Sequence, residues 1–581
     1  MPILRVMPQG KQIRLTPGET VLQALERSGI DLQSECGGQG ICGKCTVLVD
    51  DPDSVPLTPH PRISADDEQR GIRLACRIRP ERDMAISLVE PGHQTGGSDL
   101  AWILGSESLG LETIRPAVSR TWSQGRSEVH VQTDEGNERT VAWPTETGLL
   151  GAALDVGTTS LVVAVYDLEA GRELGSASGL NPQRIYGSDV LSRIRKGSTP
   201  DGLGRLAGLV RDELNELLAT ACNQAGQSAS HLLDLTVGGN TTMLQLLAGL
   251  DPAPLGHSPF QFSLMGGRSY PAADFGLQAH PQARVYVPPI LHAYAGTDLS
   301  AGLLAADFFS GQAPVLFMDI GTNGEIALRN GRRKLASSAA AGPAFEGSGL
   351  RSGMPASAGA IEQVWLDRGR LRFSTMGNTL PRGICGSGFV DLIACLLHLG
   401  RLEPSGRLLR PAEGPSLPRG SSGYPDQIDG LAVFRLQDEV MVTQEDVRTF
   451  QLAKSAVRTG LDVLLQRAGL IGSQLQSFIL AGGFGRSLRP SNLEAVGMIP
   501  PGSASKLSFR GNTSLAGAAR LLLDAPMRSS LETSMGDVDY VPLASEDRFM
   551  ELFVDNMNFP NPRAGHDEPA TALSSESQQG G

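Results

Sequence analysis

Hydrophobic positions along this chain change their spacing several times, and each change marks an element. Apolar and polar residues alternate over residues 3–7 and 12–15, the period of half-buried strands. They then recur at helical spacing over 19–28, behind Pro17-Gly18. A further alternating stretch at 84–89 closes the block, so residues 1–95 read as a small α+β module. A small polar run at 91–98 marks its exit, and residues 96–148, with strand-like stretches at 127–132 and 139–143, read as a connector. Residues 149–526 have the pattern of one long α/β assembly. Short apolar runs at 151–154, 233–237, 315–318 and 478–481 suit buried strands, and longer periodic stretches at 188–196, 203–225, 442–465 and 515–523 suit helices. Thr443 with Asp446 three residues on marks the start of one of those helices. Residues 527–581 are dominated by Ser, Pro, Asp and Glu and read as a polar tail, disordered at its end.

Composition narrows the classes. A chain of 581 residues has room for several units with large cores. Its 70 glycines and 37 prolines favour many turns over long helices. A formal charge of −12 argues against a general nucleic-acid partner, for which a basic face is expected. No apolar run reaches the length that spans a bilayer, and the start, Met1-Pro2-Ile3-Leu4-Arg5, lacks a secretory apolar segment. No membrane association is expected, and the location expected is cytoplasmic.

Four of the seven cysteines form a pattern: Cys36, Cys42 and Cys45 spaced C-x5-C-x2-C, and Cys76 in a later Leu-Ala-Cys-Arg. In a reducing compartment such clustering points to metal ligation before disulfides. The first gap is one residue longer than in the plant-type C-x4-C-x2-C…C pattern of [2Fe–2S] ferredoxins. Four thiolates complete the tetrahedra of two bridged irons, and Gly37, Gly38, Gly40 and Gly43 let the loop wrap the cluster and turn amides toward sulfur. A structural zinc site and two disulfides are the alternatives; zinc ribbons usually present two CxxC pairs, and this chain has one. Arg73, Arg77 and Arg79 beside Cys76 read as surface solvation or as a meeting face for an acidic electron donor. Cys222, Cys385 and Cys395 sit among apolar or small residues and read as buried thiols.

Two near-copies carry the remaining chemistry: Leu154-Asp155-Val156-Gly157-Thr158-Thr159-Ser160 and Met318-Asp319-Ile320-Gly321-Thr322-Asn323-Gly324. Each reads as a β-hairpin whose small-residue turn can bring backbone N–H groups to an anion, while the leading carboxylate holds a hydrated divalent cation. A third stretch, Ala481-Gly482-Gly483-Phe484-Gly485, ends a buried strand in a glycine turn on which a flat ring can lie. In order and spacing the three resemble the phosphate 1, phosphate 2 and adenosine motifs of the actin, sugar-kinase and heat-shock ATPase superfamily. The turn at Asn240 reads equally as a ligand contact or as a helix cap, and Asp298 reads as a helix cap. Glu346 reads either as an extra carboxylate near the nucleotide or as a surface charge.

A [2Fe–2S] module joined to an actin-like ATPase domain, with Gly239-Asn240-Thr241-Thr242-Met243, Asp319 through Glu325, Ala341-Gly342-Pro343-Ala344-Phe345-Glu346-Gly347 and Ala481 through Gly485, resembles the reductive activators of corrinoid proteins. The resemblance covers the first module and nearly all of residues 149–523. It implies an α+β ferredoxin (β-grasp) module followed by an α/β actin-like, ribonuclease-H-like duplicated ATPase domain. It also implies a [2Fe–2S] cluster on Cys36, Cys42, Cys45 and Cys76, with ATP and Mg²⁺ in a cleft. Asp155 and Asp319 would hold Mg²⁺ through water. Gly157, Thr158, Thr159, Gly321, Thr322 and Asn323 would cradle phosphates, with Glu346 nearby, and Gly482, Gly483 and Phe484 would bound the adenosine.

The activity so implied is ATP-dependent transfer of one electron through the cluster to the cob(II)alamin of a corrinoid-carrying methyltransferase protein, regenerating cob(I)alamin. The electron donor would be a reductase or ferredoxin and the activator a homodimer. A need for ATP fits the energetics, since a plant-type cluster sits near about −400 mV and each further 100 mV uphill costs about 2.3 kcal/mol for one electron. Two alternatives are an ATP-driven electron injector for another low-potential enzyme and a redox-regulated small-molecule kinase, which needs a general base that no residue announces. The chain departs from the family at the connector, where a longer middle segment is expected ahead of the hairpin that here arrives by Asp155.

Overall fold

The computed structural model of the chain describes residues 2–7, 10–30, 32, 34, 38–40, 43, 45–52, 55, 63, 65–88, 113–123, 126–132, 138–143, 147–187, 189–321, 323–437, 439–482 and 488–561. The first module is built from β1 (Ile3–Met7), β2 (Lys11–Arg14), α1 (Val21–Arg27), β3 (Thr46–Val49), the short α2 (Ala65–Gln69), β4 (Ile72–Leu74) and β5 (Met84–Leu88). The sheet order β2-β1-β5-β3-β4, with β1 and β5 parallel, is the β-grasp arrangement. Helix α1 starts at Val21 because Thr20 caps it. The Thr20 hydroxyl accepts from the Gln23 N–H, and the Gln23 side chain accepts from the Thr20 N–H. Its buried face, Val21, Leu22, Ala24 and Leu25, shares a core with Leu4, Val6, Val47 and Ile86.

The described part of the connector is folded. Strands β6 (Val118–Ser123), β7 (Arg126–Gln132) and β8 (Glu138–Ala142) form an antiparallel meander. Val118, Val129, Val131, Val141 and Trp143 pack into one cluster with Leu149, Val162, Leu168 and Leu515 of the next domain. Arg115 adds a bidentate pair to Asp524 at 2.9 Å.

The rest is two lobes of the same plan. The first contains β9 (Leu150–Val156), β10 (Ser160–Asp167), β11 (Arg172–Leu180), α3 (Val190–Gly197), α4 (Pro200–Gln224), β12 (Leu232–Gly239), α5 (Thr241–Ala248), β13 (Arg268–Pro271) and β14 (Arg284–Val287). Helix α6 (Thr297–Ala305) leads to the second lobe, which opens with β15 (Val315–Ile320), β16 (Gly324–Asn330) and β17 (Arg333–Ala339). Two small sheets follow, β18 (Ala360–Asp367) and β19 (Arg370–Thr375) with β20 (Gly383–Ile384), then β21 (Tyr424–Ile428), β22 (Leu431–Gln437) and β23 (Val440–Thr443), separated by α7 (Gly386–His398). The lobe continues through α8 (Gln444–Ala468), β24 (Ser477–Ala481), α9 (Pro490–Ala495), β25 (Leu507–Arg510) and α10 (Thr513–Leu523).

The first large sheet contains β11-β10-β9-β12-β14 and the second β17-β16-β15-β24-β25. In each, three antiparallel strands are followed by two parallel ones, so the fold is the duplicated, ribonuclease-H-like plan of the actin-like ATPases. Helices cover both faces of these sheets, which is why β9 and β15 read as apolar runs up to Asp155 and Asp319. Helices α6 and α10 cross between the lobes, where Leu299, Leu303, Phe317, Ile479 and Leu521 share a cluster.

The expectation of a polar tail from residue 527 is corrected as far as residue 561. Helix α11 (Pro526–Gly536), β26 (Asp539–Tyr540) and α12 (Phe549–Asp555) follow α10. Leu531, Met535, Val541 and Phe559 are buried, and β26 pairs parallel with β17. Gln451, Lys454 and Ser455 on α8 donate to the carbonyls of Met557, Asn558 and Phe553. These apolar residues are too widely spaced to make a pattern, but each fills a gap prepared by earlier elements. Residues 562–581 lie outside the described residues. No helix among the described residues is long and apolar enough to cross a membrane.

The crossing of α6 and α10 is tight. A Cβ added at Gly517 would lie 2.0 Å from the Ala301 carbonyl oxygen. Gly517→Ala is therefore expected to lower stability by about 1–3 kcal/mol or more. Gly204→Ala, on the exposed side of α4 with open space around it, should raise stability by about 0.5–1 kcal/mol. Thermal or urea unfolding of the two variants beside wild type checks both.

Candidate functional site

Asp155 and Asp319 are the penultimate residues of β9 and β15, equivalent places in the two lobes. The Asp155 carboxylate accepts from Asn512 Nδ2 at 2.7 Å and Ser514 Oγ at 2.8 Å, both at the start of α10. Asp319 lies against Gly482, where an added Cβ would come within 2.6 Å of its Oδ1 and where φ is +93°. Only a glycine lets the end of β24 approach that closely. Glu325 sits opposite Asp319 across the second hairpin and is buried. Asp298, in the first turn of α6, completes the group. It is not the cap expected of it, since Gly296 holds that place, and its charge faces Asp155 and Asp319.

Glu325 is buried and the three aspartates are half-buried, and each carboxyl is held above its ordinary range. Burial pushes Asp319 up to about 8, with the charges of Asp298 and Asp155 adding to it. Burial takes Asp298 to about 7, helped by Asp155. Asp155 is raised by burial against the two hydrogen bonds, and Glu325 is raised well above the usual range by burial, then by Asp298 and Asp319. Among the described residues no cationic side chain offsets any of the four. Among the described residues no three such groups close directly around one ion. Mg²⁺ usually keeps several waters and binds one or two carboxylates together with substrate phosphates, and this donor set fits it.

The first turn is held from behind. Asn181 donates through Nδ2 to the Gly157 carbonyl at 2.9 Å and through its N–H to the Thr159 carbonyl at 2.8 Å. Arg193 on α3 donates to the Thr158 carbonyl at 2.5 Å and to Gly187 and Gln183. This guanidinium is fully buried, and burial lowers it to about 9 against the pull of Asp189 and Glu346. With its carbonyls turned toward these donors, the turn has the polarity that suits an anion on its other side. Asn240 caps α5 through Met243 N, one of the two roles considered for it, and also donates to Thr158 Oγ1 at 3.0 Å. The Thr159 hydroxyl donates to Glu346, whose other oxygen lies beside Gly321. Glu346 therefore bridges the two turns and is not a surface charge. Asn323 is half-buried in the second turn, its carbonyl accepting from Gly321 N at 3.0 Å. Thr322, Gly483 and Phe484 lie outside the described residues.

In the β-grasp module Cys45 and Cys76 are buried at the ends of β3 and β4, and Ala75 N donates to the Cys45 carbonyl at 2.8 Å. Arg77 donates to the Gly40 carbonyl at 2.8 Å, and Gly40 has φ +74° with Arg77 Nε 2.7 Å from where its Cβ would stand. Arg79 donates to Gly18, and Arg73 to Glu68 and Ile72. All three arginines thus brace their own module's backbone, which the sequence reading had assigned to solvent or to a partner. Two cysteines at adjacent strand ends under a braced glycine loop fit an iron–sulfur cluster. Cys36 and Cys42 lie outside the described residues. Cys222, Cys385 and Cys395 are buried, and burial pushes the first up to about 11 and the last to about 12.

Sequence reasoning missed Asn181, Arg193, Asn512 and Ser514, and it gave Glu325 a place in a motif but no role. Gly511-Asn512-Thr513-Ser514 was legible as a helix start, but nothing local says that it abuts Asp155.

Family comparisons agree with this division. Residues 4–81 match a 2Fe-2S iron-sulfur cluster binding domain, 150–310 the RACo middle region, and 313–567 the C-terminal domain of RACo, the ASKHA domain. The middle region is thus the first lobe itself, which corrects the expectation that this chain departs from the family by lacking a longer middle segment. The chain is 29% identical over 573 residues to the corrinoid activation enzyme RamQ of Eubacterium limosum, covering 91% of this chain and 94% of the relative. It is 26% identical to the [Co(II) methylated amine-specific corrinoid protein] reductase of Methanosarcina barkeri, over 71% of this chain and 77% of that one. A solved structure of a reductive activator for corrinoid, iron–sulfur protein superposes with a TM-score of 0.68 at 26% identity, covering 96% of this chain and 98% of the other.

The acid cluster has a pH signature. With no cation bound, carboxyls raised above their unfolded values keep protons in the folded chain that the unfolded chain has released, so stability falls as pH rises from about 4 toward 8. Asp319→Asn removes part of that penalty. In chelator, the variant should melt above wild type at about pH 8 and level with it near pH 4. Melting curves at the two pH values check this, and parallel pH dependence in the two proteins would contradict it.

Proposed function

We propose, for a chain that belongs to the reductive activators of corrinoid proteins, that it returns cob(II)alamin on a corrinoid-carrying methyltransferase protein to cob(I)alamin by an ATP-dependent one-electron transfer. The observation that carries this reading is the joining, on one chain, of a cysteine-loop β-grasp module to a duplicated cleft lined by four acids whose carboxyls are raised by burial and by one another. The activities for which the relatives are named supply the substrate class.

Cys36, Cys42, Cys45 and Cys76 would hold the [2Fe–2S] cluster. Asp155 and Asp319, with Asp298 beside them, would hold Mg²⁺ through water. Gly157, Thr158, Thr159, Gly321, Thr322 and Asn323 would cradle the phosphates, and Gly482, Gly483 and Phe484 would bound the adenosine. When bound, the cluster supplies one-electron chemistry, and Mg·ATP supplies the free energy that a low-potential acceptor demands.

The side chains have definite work to do. Glu346 holds the Thr159 hydroxyl, so it must release that hydroxyl before Thr159 can donate to a phosphate oxygen. The raised acids must give up their protons as a cation arrives, so binding should release protons near neutral pH. Asn512 and Ser514 keep Asp155 oriented throughout. We take the electron donor to be a reductase or ferredoxin and the working form to be a homodimer, as the family resemblance implies.

The test is direct. Pre-reduced protein is mixed with a cob(II)alamin-loaded corrinoid protein, with and without Mg·ATP, and the cobalt absorption is followed. Reduction should need Mg·ATP, and Asp319→Asn should slow it by about 10²-fold or more. Cys76→Ser should lose both the cluster absorption and the transfer. Equal rates without nucleotide, or a Cys76→Ser protein that still reduces the corrinoid, would overturn the reading.

A further inference from the structure

The iron–sulfur module is docked on the first lobe through α1 and α3. Glu26 on α1 pairs with Lys196 on α3 at 3.4 Å. Just beyond α1, a Cβ added at Gly29 would lie 3.7 Å from the Arg205 guanidinium of α4. The Lys196 ammonium also stands 4.7 Å from the centre of the Tyr186 ring, so it sits between module and lobe.

The same short helix holds the first phosphate-type turn. Arg193, one turn before Lys196, donates to the Thr158 carbonyl. Asn181, which caps the 3₁₀ turn Pro182–Tyr186 beneath Lys196, holds the carbonyls of Gly157 and Thr159. On the module side, Glu26 and Leu22 are four residues apart on one face of α1. Leu22 packs under the cysteine loop, where a Cβ at Gly38 would be 3.2 Å from Leu22 Cδ2 and 4.0 Å from the Cys76 Cβ. Contacts thus run without a break from the turn at Thr158 to the loop beside Cys76.

We propose that α3 is a lever between the two sites, with Lys196 a positioning residue whose hold on the iron–sulfur module depends on what occupies the phosphate turn. This rests on the nucleotide reading of the cleft. A phosphate chain arriving at Thr158 and Thr159 brings negative charge toward the buried Arg193 guanidinium and displaces the Glu346 carboxylate from the Thr159 hydroxyl. The phosphate charge takes over the pull that Glu346 exerted and, being the greater, draws Arg193, and α3 with it, toward the cleft and away from α1. The Lys196–Glu26 pair is partly exposed, and pairs of that kind contribute little, so a small shift opens it. The module is then released to present its cysteine loop to the corrinoid partner.

Carbodiimide joins an amine to a carboxylate with no spacer and so reads this pair directly. Full-length protein without nucleotide should give a Lys196–Glu26 cross-link that Glu26→Gln abolishes. Saturating Mg²⁺ and the non-hydrolysable analogue AMP-PNP should lower its yield by about fivefold or more, the lower end of a usual coupling. Hydrogen exchange over residues 21–27 gives a second readout. The analogue should speed exchange in wild type, whereas Lys196→Gln should exchange fast with or without it. The double swap, Lys196→Glu with Glu26→Lys, should restore the response. Analogue binding is measured separately by calorimetry. Binding with unchanged cross-link yield and exchange would overturn the lever alone, and absence of binding would overturn the cleft reading and the lever with it.

Discussion

Like charges held together where water reaches them only in part set the terms for the rest of this molecule. Asp155 comes from the first lobe, Asp298 from the helix that crosses between lobes, and Asp319 and Glu325 from the second lobe. Ionising all of them in so poor a solvent is costly, and the usual ways out are protonation or a bound cation. Because the acids belong to different bodies of the fold, a cation entering among them acts on both lobes at once. The duplicated plan produces this almost automatically, since the same penultimate strand position in each half delivers an acid to the same gap.

What could be read from the residues alone follows from how local the determinants are. The two hairpins were legible because strands covered on both faces are apolar up to the aspartate near their end, and because a run of glycines and hydroxyls after it favours a turn. The cysteine spacing was legible because the ligands of a loop-bound cluster are mostly neighbours in sequence. Asp298 was misjudged because its place at a helix start is local, whereas its direction depends on how α6 crosses the other lobe. Arg193 was overlooked because nothing near it in sequence shows that its guanidinium is fully buried against a turn many residues earlier. Strand β6 escaped notice because Trp122, its largest apolar residue, faces solvent and Val118 supplies its buried contact.

The arginines of the first module make a related point. Three positive residues beside a cysteine invite a reading as a docking face, yet each is spent on carbonyl groups of the backbone around it. A loop rich in glycine has many carbonyls and few side chains with which to satisfy them, and a guanidinium with five donors is well suited to that task. Arg77 does this at the Gly40 carbonyl of the cysteine loop, while Arg73 and Arg79 hold the backbone at Glu68, Ile72 and Gly18.

The path of the chain has a consequence for how the protein is made. Every strand of the β-grasp sheet lies within residues 3–88, so that sheet can close while the ribosome is still building the first lobe. The first lobe is in a different position, because the apolar face around Ala153, Val162 and Leu233 is covered by Leu515, Ala518 and Leu522 of α10. At usual synthesis rates of about 5–20 residues per second, that face waits bare for tens of seconds. Nascent chains of this protein thus pass through a long stage with one finished module and one half-clad sheet, the stage at which chaperones have most to guard.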